Sequence, residues 1–176
     1  MLNSGNRIID HLLMQFEASW NMLYQSIENV PDEKWAIGIE TINKPWSETK
    51  GMNIWFFSNT VFHTIQTVDF YTRDDPNGFE WGYRIGGIDW KSESPSVTAS
   101  RITKKDMLEY LTETKNNLNK KLSSFLDDDL FEQDGFKEWQ ASRLAKFIYT
   151  LRHSMWHIGE LGKSMREWGC ERINWR

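Results

Sequence analysis

Cysteine is almost absent from this sequence, with Cys170 the single example, so no internal disulfide can form and a disulfide-stapled secreted fold is excluded. Long apolar runs are missing too. The longest, Ile54-Trp55-Phe56-Phe57, falls far short of the ~18 residues a transmembrane helix needs. Asn3, Arg7 and Asp10 interrupt any apolar stretch near the start, so no secretory leader is expected and the expected setting is cytoplasmic and reducing. Basic excess is lacking as well: 21 Lys plus Arg stand against 25 Asp plus Glu, a formal charge of -4. That balance gives a nucleic-acid partner no electrostatic support. Aromatics are the abundance, with 10 Trp, 10 Phe and 5 Tyr spread along one domain-sized chain. They favour a bulky core or an aromatic-lined cavity.

Hydrophobic spacing predicts an all-α, single-domain four-helix bundle over residues 1–176. The first helix runs from 7 to 29 on Ile9, Leu12, Leu13, Phe16, Trp20, Leu23 and Ile27. A connection with a short turn near Asp32 to Trp35 follows. The second helix spans about Asn53 to Thr72, with Ile54, Phe57, Val61, Ile65 and Val68 as its stripe. Residues 73–101 form a long aromatic loop, either a lid over a pocket or a cover for exposed core. Thr103 and Asp106 make a capping pattern for a third helix, Lys104 to Leu126, and an acidic turn follows from Asp127 to Gly135. A fourth helix, about Gln140 to Trp168, carries Leu144, Ile148, Leu151, Met155, Ile158 and Met165 on one side and ends at Gly169.

Chemistry concentrates in three of the four histidines. His153 and His157 stand four apart in the fourth helix, which puts both imidazoles on one face, as chelation of one cation requires. With residues spaced ~100° apart around each axis, both lie opposite the Leu151 stripe, near Tyr149, Thr150, Trp156, Glu160 and Trp168. His63 lies opposite its own helix's stripe, among Phe56, Thr60, Gln66, Thr67 and Phe70. Faces this aromatic suggest a second cleft rather than solvent. Three neutral imidazoles suit Zn, Ni, Co or Fe and leave a coordination position open for water or substrate. His11 shares a face with Ser4, Arg7, Gln15 and Ala18 and reads as surface. Glu160, within one turn of His157, is the candidate for orienting that ring or transferring a proton. The stretch His153-Ser154-Met155-Trp156-His157 lacks the Glu of an H-E-x-x-H metalloprotease. No nucleophile elbow, P-loop or dinucleotide fingerprint occurs.

The helix order, His63, the His153/His157 pair, the Gly159-Glu160-Leu161 step and the Met165-Arg166-Glu167-Trp168-Gly169 end together resemble the DinB/YfiT-like family of four-helix-bundle metalloenzymes. The resemblance implies a divalent metal, often Zn or Ni, held by His63, His153 and His157, and a homodimer, since many members dimerise. Characterised relatives include thiol S-transferases that use bacillithiol or mycothiol and a thiol-dependent maleylpyruvate isomerase. A low-molecular-weight thiol cosubstrate and a small electrophilic substrate are therefore the implied partners. Glu160 departs from the Gln usual in the family at that step. The competing expectation is a non-catalytic bundle that binds a small apolar ligand or a partner helix, its metal site structural or vacant.

Overall fold

The computed structural model describes residues 7–36, 44–49 and 56–175. Among these residues there are six α-helices and no strand, so the fold is all-helical as the spacing predicts. The helices are α1 (Arg7–Asn29), α2 (Asp32–Trp35), α3 (Phe57–Thr72), α4 (Pro95–Ser100), α5 (Lys104–Ser123) and α6 (Arg143–Glu167). The start predicted for the second helix, including Ile54, lies outside the described residues. Among the described residues no helix is long and apolar enough to cross a membrane.

Packing follows from where each long helix hides its side chains. α1 and α3 each lie against both α5 and α6. The core between them holds Phe16, Leu23 and Ile27 of α1, Val61 and Ile65 of α3, Met107 and Leu118 of α5, and Phe147 and Ile158 of α6. Each of these side chains is 1% exposed or less. Burying one such residue is worth ~1.5–3 kcal/mol against leaving it in water.

Helix ends are set by identifiable caps. Thr103 Oγ1 accepts from the Asp106 amide at 3.1 Å, and Ser142 Oγ accepts from the Ala145 amide at 3.2 Å. At the far end of α6, Gly169 takes φ 72°. Its amide donates to Arg166 O at 3.2 Å, and the Cys170 amide donates to Met165 O at 2.9 Å, the paired bonds of a Schellman cap. α1 is capped from a distance. Asp127, at the start of a 3-10 turn spanning Asp127–Phe131, accepts from the Ile8 amide at 3.0 Å and the Ile9 amide at 3.1 Å. The acidic turn thus neutralises the positive end of a helix more than a hundred residues earlier.

The long segment between α3 and α5 covers the C-terminal half of α3. Phe79 and Trp81 pack on Phe70 with ring centroids 5.1 and 4.9 Å away. The Tyr83 and Tyr110 hydroxyls both donate to Asp69 Oδ2, at 3.0 and 2.7 Å. Burial, reinforced by the Asp69 charge, pushes the Tyr110 phenol well above its ordinary value. Gly82 makes the turn possible: its φ is +83°, and a Cβ there would meet Ile88 Cγ1 at 2.4 Å.

α6 departs from the expected stripe. Ile148 is 51% exposed, and Leu144, Leu151 and Met155 are only partly covered, while Phe147 is fully buried. The buried arc runs through Phe147, Thr150, Ser154, Ile158, Leu161 and Met165. Thr150 and Ser154 belong to it because their hydroxyls donate to the carbonyls four residues back, at 2.8 and 2.9 Å. Counting apolar residues alone misses such positions.

Candidate metal centre

Two helices supply the three histidines. α3 contributes His63, and α6 contributes His153 and His157 one turn apart. α6 runs antiparallel to α3, since Lys146 near its start reaches the carbonyl of Arg73 just past the end of α3, at 2.7 Å. That register sets the middle of one helix opposite the middle of the other.

Lys146 is 1% exposed, and its ammonium also lies 2.5 Å from Asp134 Oδ2 and 4.6 Å from the Phe136 ring centroid. Burial lowers its pKa against the opposing pull of Asp134. Sequence reasoning passed over this residue, because a lone lysine in an amphipathic helix reads as solvated.

The imidazoles converge through the same atom. His153 Nε2 lies 3.2 Å from His63 Nε2 and 3.3 Å from His157 Nε2. The three ring centroids are 4.6 to 5.0 Å apart. Without a cation this geometry is frustrated: His153 Nε2 faces two other nitrogens and can share a proton with only one at a time. Ligand nitrogens around a tetrahedral ion with bonds of ~2.0–2.1 Å stand ~3.3–3.4 Å apart, close to both distances from His153.

Electrostatics point the same way. Burial holds the pKa of His63 down to about 3, with repulsion from His157 and then His153 adding to it. His153 is held down to about 4 by burial and His157, against the opposing pull of Glu160. Both rings are neutral at physiological pH, the form that coordinates.

The surroundings orient two of the rings. Glu160 Oε2 lies 2.7 Å from His157 Nδ1, and Glu160 Oε1 accepts from the Trp156 indole at 3.0 Å. Tyr149 stacks on His153 at 5.9 Å. Among the described residues the buried His153 Nδ1 has no hydrogen-bond partner.

The three predicted ligands are therefore brought together, and Glu160 lies against the ring of His157. His11 is exposed on α1, as expected. The aromatic wall is altered: Phe56 and Phe70 are buried, Trp156 is 70% exposed, and the partly buried Trp168 packs on Phe57 at 5.7 Å at the edge of the core. No family model, no curated protein and no solved structure matches the chain.

Proposed function

We propose that the chain is a four-helix bundle of the DinB/YfiT-like type and a divalent-metal-dependent enzyme, of the thiol S-transferase class, acting on a small electrophile. The observation that carries this reading is the convergence of His63, His153 and His157 through Nε2 at 3.2 and 3.3 Å. An all-imidazole donor set suits Zn or Ni and leaves a position for an exchangeable ligand. The bound ion supplies Lewis acidity, lowering the pKa of a thiol or water beside it.

The residues of the chain do the remaining work. His63 and His153 stay neutral because partial burial and repulsion from His157 disfavour their charged forms, so they present lone pairs instead of protons. Glu160 accepts the Nδ1 proton of His157, which turns the lone pair of that ring toward the other two. Half-exposed, the Glu160 carboxylate is also placed to take up or return a proton at its rim position. Tyr149 holds the plane of His153 by stacking.

The test is turnover. Transfer of a low-molecular-weight thiol to an electrophile should stop on chelation and return with added Zn or Ni. Turnover that survives full metal removal overturns the reading.

A further inference from the structure

On α3, the hydroxyls of Thr60, Thr64 and Thr72 donate to the carbonyls four residues back, at 3.1, 2.7 and 2.8 Å. Asn59 and Gln66 have no such short route. Asn59 is 4% exposed and Gln66 3%, yet among the described residues Nδ2 and Oδ1 of Asn59 and Nε2 of Gln66 have no hydrogen-bond partner. Buried amide groups are nearly always paired, so two on one helix face call for an occupant.

Their position names the place. Asn59 is four residues before His63 and Gln66 three after it, so all three fall within ~60° around the helix axis. The amides thus stand one turn to either side of the histidine that meets His153, and all three histidines are partly open to solvent. The stripe carries no full charge; the one carboxylate of α3, Asp69, lies off it and accepts from Tyr83 and Tyr110.

We propose that Asn59 and Gln66 read the ligand of the histidine site, and that this ligand presents a neutral amide-type group, such as a carboxamide, lactam or urea. The proposal rests on the histidines being a binding centre. Asn59 offers a donor and an acceptor on one planar group, which matches a second amide in a two-bond pair, and Gln66 adds a donor.

The probe is 2-pyrrolidone, a five-membered lactam, followed by saturation-transfer NMR on the full chain, zinc-loaded and zinc-free. Cyclopentanone, the same ring size without the N–H, is the control. The lactam should bind about tenfold more tightly, because a site built to hydrogen-bond an N–H rejects the analogue lacking it. Asn59→Leu should abolish that preference, keep the zinc content and raise the melting temperature, since an apolar side chain of similar size replaces an unpaired amide. Gln66→Met should reduce the preference, and carries the comparison alone if Asn59→Leu does not fold.

Equal binding of the two rings by the wild type, or a preference untouched by the substitutions, overturns the proposal. A fall in melting temperature for both variants does so too, because it makes the amides structural. Lactam preference in a chain that takes up no zinc sustains the subsite and sinks the metal reading. Stoichiometric zinc without lactam preference does the reverse.

Discussion

Glu160 Oε2 sits 2.7 Å from Nδ1 of His157, and that contact decides which nitrogen of the ring faces His63 and His153. A carboxylate accepts a proton-bearing nitrogen, so the opposite nitrogen is left with its lone pair. Removing the acceptor by Glu160→Ala should weaken metal binding about tenfold or more. Glu160→Gln keeps an acceptor oxygen and should cost less. Competition with a chromophoric chelator measures both, and equal affinities for wild type and Glu160→Ala would remove Glu160 from the centre.

Metal content is the most direct check on the three ligands. Protein purified without an affinity tag should carry near-stoichiometric Zn or Ni by mass spectrometry. His153→Ala combined with His157→Ala should carry none. A wild type that is empty and refuses added metal excludes the metal-dependent mechanism.

Acid should destabilise the chelated protein. His63 and His153 are held at about 3 and about 4, against 6.5 for the free side chain. Between those values the unfolded chain binds protons that the folded chain refuses, so stability falls as pH drops from 6.5 toward 3. Above that window both states are neutral at these positions and the effect vanishes. Urea midpoints of the metal-free protein should be level above about pH 7 and decline steadily below about pH 6. A midpoint unchanged down to about pH 4 would contradict the burial of these rings.

Neighbouring positions on α6 should differ sharply. Phe147 is fully buried and Ile148 is 51% exposed. Phe147→Ala should cost about 3–5 kcal/mol, and Ile148→Ala no more than about 0.5 kcal/mol. Denaturant titration of the two variants checks this, and comparable losses would place the helix in a different rotation.

Lys146→Ala strands Asp134, whose side chain is 5% exposed, without its cation. Breaking a buried pair from one side should cost about 3–5 kcal/mol. Because Lys146 also ties α6 to the end of α3, zinc affinity should fall together with stability. A stable variant with native zinc affinity would show that the register of the two helices is fixed elsewhere.

Much of this was legible before any coordinates. The span of α1, the turn at Asp32–Trp35, the Thr103 cap and the Gly169 stop all follow from local chemistry that acts within a few residues. His153 and His157 share a face by helical geometry alone, and His63 joins them because its position faces away from its own apolar stripe. The rotation of α6 was not legible, since Thr150 and Ser154 count as polar until their hydroxyls are seen bonded to their own helix. Lys146 and Asn59 escaped for a related reason. Nothing local marks a lysine or an asparagine as buried when the groups that surround it come from distant parts of the chain.

Asp127 carries one more consequence. The amides of Ile8 and Ile9 in the first turn of α1 find their acceptor in a carboxylate 119 and 118 residues further along. During synthesis α1 is made long before that acceptor, so this cap is absent from its leading turn until most of the chain has been made. The body of α1 packs on α5 and α6, so only its first turn depends on this distant carboxylate. Asp127 thus ties the opening turn of the first helix to the segment that follows α5.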